Sequence, residues 1–268
     1  AGLSCVHTPL LNRPLCQSVT GDIGSEPPPS APLLPVSLCT EDDSPARRYS
    51  AVPRFDGTDN DFYRLPFPND IRTRDGRVDL RNHAAPDVAL DVDLIDQYLR
   101  AAENDMEGFS SNPVAYFRFS GAYDWDSAPG AIRFVDVDPD SPNRGESVLY
   151  GWLTTFGQIT KYICEDWFAV RTVHGAPLRP GTTYAVMLTR DMIPNPEYAA
   201  SFARDEDFDA VMSDTEPSDP VLAAAWATYA PLRSYLAEDE MLGADDLLNA
   251  AVFTTEPLRP MAGMRQAV

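Results

Sequence analysis

The sequence predicts an α+β fold. Four strand-like runs follow one another between residues 114 and 189, and a fifth stands at 250–255. Helical periodicity occurs once ahead of the first of these strands and twice ahead of the last. With 44 % hydrophobic and 10 % aromatic residues, a chain of 268 residues also has the material for a sizeable core.

The strands come first. Val114-Ala115-Tyr116-Phe117-Arg118-Phe119 opens the series. Ile132-Arg133-Phe134-Val135-Asp136-Val137 alternates as a half-buried strand does. Residues 167–173 form the third run and 182–189 the fourth. The fourth follows Leu178-Arg179-Pro180-Gly181, whose Pro-Gly pair suits a type II turn. Ala250-Ala251-Val252-Phe253-Thr254-Thr255 closes the set. Ahead of them all, Arg74-Asp75-Gly76-Arg77 reads as a tight turn, because Asp-Gly accepts the positive φ that hairpin turns require.

The first helix is predicted over 87–107. There Leu90, Leu94, Ile95, Tyr98, Leu99, Ala102 and Met106 recur every three or four residues, and Gly108 is the stop. A second, acidic on one side, is predicted over 197–212. A third is predicted over 219–238, where Val221, Leu222, Ala225, Trp226, Tyr229, Leu232, Tyr235 and Leu236 make one broad core-packing stripe.

Residues 1–50 read as an irregular arm. Pro27-Pro28-Pro29, Pro32, Pro35 and Pro45 oppose helix, and no clear period is visible. Leu33, Leu34, Val36 and Leu38 form an apolar run expected to dock on the chain's own body or on a neighbouring subunit. The main body is expected over 51–256, and 257–268 as a linker or the start of a further segment.

The chain is acidic, with 41 Asp and Glu against 21 Lys and Arg, a net charge of -20. Such a field repels phosphate backbones and anionic membrane surfaces, so nucleic acid is not an expected partner. Divalent cations and basic proteins are favoured, and solubility in a salty medium is the plainer cause. No run of about 18 apolar residues is present, so no membrane-spanning helix is expected. The opening Ala-Gly-Leu-Ser-Cys reads as a mature terminus after signal cleavage.

The four cysteines are Cys5, Cys16, Cys39 and Cys164, with no CxxC pair to suggest zinc or haem. Disulfides are expected, Cys5–Cys16 by short separation and Cys39–Cys164 tying the arm to the body, which implies an exported protein.

Catalytic motifs are scarce. Gly-x-Ser-x-Gly, HExxH, a Walker loop and GxGxxG are all missing. His7, His83 and His174 are scattered. Trp125, Trp152 and Trp167 suggest a sugar-binding surface or ordinary packing. Three acidic clusters have the spacing of a calcium loop: Asp136, Asp138, Asp140; Asp56, Asp59, Asp61; and Asp124 with Asp126. Solvated loop acids are the alternative. Calcium is the only cofactor the sequence suggests.

Asn112-Pro113-Val114-Ala115-Tyr116-Phe117-Arg118-Phe119-Ser120-Gly121 resembles the opening strand of bacterial Ig-like domains. Leu178-Arg179-Pro180-Gly181-Thr182-Thr183-Tyr184-Ala185-Val186 is similar to their late turn and strand, and Val252-Phe253-Thr254-Thr255 to their last. Leu65-Pro66-Phe67-Pro68-Asn69-Asp70, the Asp-Gly turn, the first helix and Glu107-Gly108-Phe109-Ser110 resemble, in that order, the N-terminal region of bacterial extracellular lipases. The resemblance covers about 60–256 and leaves 1–50 unmatched. It implies an Ig-like antiparallel β-sandwich with helical insertions. It is compatible with a non-catalytic accessory or docking module of a secreted or surface protein, or with the N-terminal portion of a lipase or esterase whose catalytic domain lies beyond residue 268; the Pro-rich arm suggests a third role, a structural subunit of an extracellular assembly. The expected partner is protein, either a further domain or a neighbouring subunit.

Overall fold

The computed structural model describes residues 2–7, 14–19, 52, 62–84, 94–155, 162–197 and 199–258. The chain forms two compact units, Ala1–Pro32 and Leu33–Val268.

In the first unit, strands β1 (Gly2–His7) and β2 (Pro14–Val19) form an antiparallel ladder with Cys5 opposite Cys16. This corrects the expectation of an arm without strands. The single proline in the ladder, Pro14, is the first residue of its strand, where a missing N–H is tolerated. The run 33–38 lies outside the described residues, as do Cys39, Asp56, Asp59 and Asp61.

The second unit begins with the short hairpin β3 (Thr73–Arg74) and β4 (Arg77–Val78). Its turn residues Asp75 and Gly76 have φ of 54° and 74°, as the Asp-Gly signal requires. There follow helix α1 (Leu94–Asp105), β5 (Val114–Arg118), the single turn α2 (Ala128–Ala131), β6 (Ile132–Asp136), β7 (Tyr150–Thr155), β8 (Trp167–Thr172) and β9 (Thr183–Thr189). Helices α3 (Glu206–Val211), α4 (Pro220–Thr228) and α5 (Ala230–Glu238) precede β10 (Leu247–Thr254). Strands and helices are segregated, which makes the fold α+β.

Two three-stranded antiparallel sheets organise the unit, in the orders β5-β8-β7 and β10-β9-β6. Strand alternation divides their side chains between cores. Phe117 and Phe168 from one sheet join Phe134, Val186 and Phe253 from the other in a single cluster. The opposite face of the second sheet, with Val135, Met187 and Val252, packs against Phe208, Tyr229 and Leu232 from α3–α5. The far face of the first sheet carries Tyr116 and Trp167 beside a smaller cluster of Phe62, Tyr63 and Ile163.

Two helix predictions need correction. The single helix over 219–238 is two, broken at Tyr229. Pro231 has no N–H for the carbonyl four residues back, and it stands in the first turn of a new helix, where proline is accepted. The helix over 197–212 shrinks to Glu206–Val211. Asp205 caps it, accepting from the Asp207 N–H at 2.9 Å. Just upstream, Phe202 is buried in the inter-sheet core and Arg204 donates to the carbonyls of Ala244 and Leu247, so the backbone there follows its anchors. Strand β7 went unpredicted, because Gly151 sits inside the run Tyr150-Gly151-Trp152. The part of α1 ahead of Leu94 lies outside the described residues.

Candidate functional site

The acidic loop after β6 is closed upon itself. Asp136 is buried. Its carboxylate accepts from the Asp138 N–H (3.0 Å), the Ser141 hydroxyl (2.7 Å) and the Arg179 guanidinium. Asp138 accepts from the N–H groups of Asp140 (2.9 Å) and Thr183 (3.0 Å). The Asp138 and Asp140 N–H bonds each satisfy a backbone donor of a tight turn. A guanidinium therefore sits on the carboxylate that a cation would need. Among the described residues no group of three acids, histidines or cysteines is gathered to hold a metal ion. Asp124 likewise accepts from the Asp126 N–H at 3.1 Å.

His83 and His174 are engaged in different places. His174 accepts from Arg171 at 2.9 Å on an exposed turn. His83 lies at a groove wall. Its Nδ1 is 2.9 Å from the Ala84 carbonyl, which can only accept, so Nδ1 carries a proton. Burial, aided by Arg72 and partly offset by the Ala84 bond, lowers its pKa. In the neutral ring Nε2 then accepts from the Tyr63 hydroxyl at 3.1 Å. Burial and the neighbouring Tyr116 raise the Tyr63 pKa far above the usual phenol value.

The tryptophans do not converge. Trp152 faces the inter-sheet core, stacked on Phe168 and touched edge-on by Trp125. Trp167 lies on the other face of the same sheet, edge-on to Tyr116 with centroids 5.5 Å apart. Ser110, the serine nearest in pattern to a nucleophile, accepts from the Asn112 N–H at 3.0 Å in a turn.

The groove itself has a volume of about 610 Å³. One wall is Tyr63, His83, Tyr116 and Trp167; the other is Ile95, Tyr98 and Leu99 of α1. Arg72, stacked 3.6 Å over the Phe62 ring and donating to the Phe62 and Arg81 carbonyls, holds the loop behind the first wall. No residue of α1 is buried. The sequence shows the periodic stripe of α1 but not the groove, because its walls come from separate stretches of chain.

A second constellation lies where the chain leaves β10. The Glu256 carboxylate accepts from the N–H groups of Glu107 (2.7 Å) and Gly108 (2.8 Å). The Glu256 N–H donates to the Phe109 carbonyl at 2.7 Å, and Thr255 and Thr182 exchange bonds beside it. A Cβ on Gly108 would lie 2.7 Å from the Thr255 carbonyl carbon, so only glycine fits. The predicted helix stop at Gly108 thus has a packing reason. Cys164 is buried and disulfide-bonded. No described helix is long and apolar enough to cross a membrane. Comparison with protein-family models and with curated proteins finds no match to this chain.

Proposed function

We propose that the chain is a non-catalytic accessory module of a secreted or cell-surface bacterial protein, which holds and orients a neighbouring domain. The observation that carries this reading is the clamp at residues 255–256. It ties the departing backbone to the loop at 107–109 through side-chain and main-chain bonds, and so fixes the direction in which the chain leaves the sheet. Export is supported by the cysteines, for which we propose the pairs Cys5–Cys16, opposite each other in the β1–β2 ladder, and Cys39–Cys164.

We infer further that the two sheets are an Ig-like sandwich. The chain order and sheet membership of β5 to β10 match strands B to G of a constant-type Ig domain: β5-β8-β7 stands as B-E-D, and β10-β9-β6 as G-F-C. The main-chain bonds of Phe67 to Tyr116 put that residue where strand A would pair. Tyr184 near the start of β9 accepts from the Arg179 N–H at 3.1 Å, in the manner of the tyrosine corner. The helices α3–α5 are then an insertion between the last two strands. This arrangement supports the resemblance to the lipase-associated modules without giving this chain their chemistry.

The test joins two measurements. Gly108→Ala, with Glu256→Ala beside it, is expected to speed hydrogen exchange at 254–258 and to broaden, by small-angle scattering, the orientation of any domain fused after residue 268. An unchanged exchange pattern in both variants defeats the orienting role. The purified chain is expected to leave p-nitrophenyl esters intact; turnover abolished by replacing one of its serines would defeat the non-catalytic reading.

A further inference from the structure

Strand β7 is an outer strand of the sheet β5-β8-β7, paired with β8 on one side only. The Val173 N–H donates to the Leu149 carbonyl, so Leu149 stands at a hydrogen-bonded position of this ladder. Alternation along an antiparallel pair then directs the main-chain groups of Gly151 and Leu153 to β8. It turns the N–H and C=O groups of Tyr150, Trp152 and Thr154 outward. Among the described residues, no hydrogen bond reaches those outward groups. Leu149 and Leu153, on the face opposite the core-packed Tyr150 and Trp152, are 73 % and 38 % exposed. Sheet edges are ordinarily guarded by lysine, other charges or proline. From Ser147 to Thr160 the sequence has neither a charged residue nor a proline, in a chain of which 23 % is charged. An open edge without such guards is suited to strand addition.

We infer that β7 pairs with β7 of a second copy of this chain, antiparallel and across a two-fold axis at Trp152. The strand complements itself in that register. Tyr150, Trp152 and Thr154 exchange main-chain bonds with Thr154, Trp152 and Tyr150 of the second copy. Gly151 then faces Leu153 of the second copy, so each exposed leucine fills the space beside a residue that has no side chain. The charges at the two ends of the edge complement each other as well. Arg171 crosses Gly151, its Nε 3.9 Å from where a Cβ would stand, and donates to His174 at 2.9 Å. The opposite end of the ladder, past the Thr155–Trp167 pair, carries the exposed Glu165. A two-fold axis brings the Arg171 end of each copy to the Glu165 end of the other. This local match opposes the mutual repulsion of two chains of net charge -20. The edge belongs to a different sheet from β10, so the pairing and the orienting role are independent.

The test is sedimentation equilibrium of the full chain in physiological salt, which screens the like net charges. A reversible monomer–dimer equilibrium is expected, and amide exchange at Tyr150, Trp152 and Thr154 should slow as the dimer fills. Leu153→Lys places a charge on the edge and is expected to weaken the dimer at least roughly tenfold while the circular-dichroism melt stays as it was. Leu149→Lys, at the more exposed position, serves if the first variant disturbs folding. Arg171→Glu and Glu165→Arg are each expected to weaken the dimer roughly two- to fivefold, and the two together to restore it. A chain that stays monomeric up to a concentration on the order of 1 mM overturns the proposal. So does a dimer that both lysine variants leave intact, or one in which exchange at those three amides is unchanged. Assemblies that grow past two copies, or full affinity in both charge variants, overturn the two-fold register.

Discussion

The two sheets of the larger unit are built from similar strands and stabilised differently. In β10-β9-β6 both faces are covered: every residue of β10 from Leu247 to Phe253 is buried, and helices α3–α5 close the outer side. In β5-β8-β7 one face enters the shared core, while the other has a small aromatic cluster and a helix that buries none of its residues. Tyr98 of α1 is 70 % exposed, whereas Tyr229, between α4 and α5, is 1 % exposed. Tyr229 also donates to the Ala250 carbonyl (2.9 Å) and accepts from Asn69 (2.8 Å). A fully covered sheet is a scaffold. A half-covered one is where a groove has room to exist. The disulfide of Cys164 stands three residues ahead of β8, so a covalent tie falls on the more thinly covered side.

That contrast can be broken by mutation. The largest effect is expected from the tie: Cys164→Ser should cost roughly 2–5 kcal/mol in denaturant unfolding, as loss of a native disulfide does in small secreted domains. Intact mass with and without reductant, and thiol alkylation, check the two proposed bridges first. Next comes the covered sheet. Leu232→Ala removes a fully buried side chain from the helix–sheet core and should cost about 2–5 kcal/mol. Tyr98→Ala on α1 should stay within about 0.5 kcal/mol, and equal losses at the two sites would erase the distinction drawn between the sheets. Tyr184→Phe, which frees the Arg179 N–H, should cost about 1 kcal/mol.

A smaller effect depends on pH. Asp70 accepts from the N–H (2.8 Å) and hydroxyl (2.7 Å) of Thr254, yet burial outweighs these bonds and raises its pKa. The folded state therefore holds this proton more tightly than the unfolded chain. The contribution of Asp70 to stability is greatest in acid and falls as pH rises from the ordinary aspartate value through the raised one. Asparagine can keep both contacts, accepting from the N–H and donating to the hydroxyl, without the charge. Asp70→Asn should therefore gain on the wild type as pH rises over that window; parallel curves of melting temperature against pH would contradict it. The smallest effect is expected from calcium. With the Asp136 carboxylate already bonded to Arg179 and Ser141, Asp140→Asn in that loop should leave the response of the melting temperature to calcium or a chelator as it is in the wild type.

Much of this architecture was legible in the sequence, for physical reasons that differ by region. Strands β5, β6, β8, β9 and β10 could be read because their apolar residues form runs that no helix period fits. The hairpin at Asp75-Gly76 could be read because positive φ has few suppliers. The break at Tyr229 is marked in the sequence by Pro231 alone, inside an apolar stripe that otherwise runs on unbroken. The groove is another matter. Tyr63, His83, Tyr116 and Trp167 are each ordinary in their own segments, and only the pairing of β5 with β8 and the fold of the loop at 62–84 bring them together. The acidic loop shows the converse. Its spacing was legible, but Arg179 is 43 residues from Asp136, so the guanidinium that meets that carboxylate was not.

The clamp at residues 255–256 has a mechanical consequence. The bonds of an antiparallel ladder lie across the strands. Tension drawn along β10 from its exit therefore loads the whole β9–β10 ladder in shear, and the Glu256 bonds to the 107–109 loop must yield before any ladder bond can peel singly. The exit should behave as a stiff anchor, not as a zipper. Pulling a handle attached after residue 268 in an optical trap should give one abrupt rupture, and Glu256→Ala should lower its force; a gradual, stepwise release would show that the load enters the sheet by peeling.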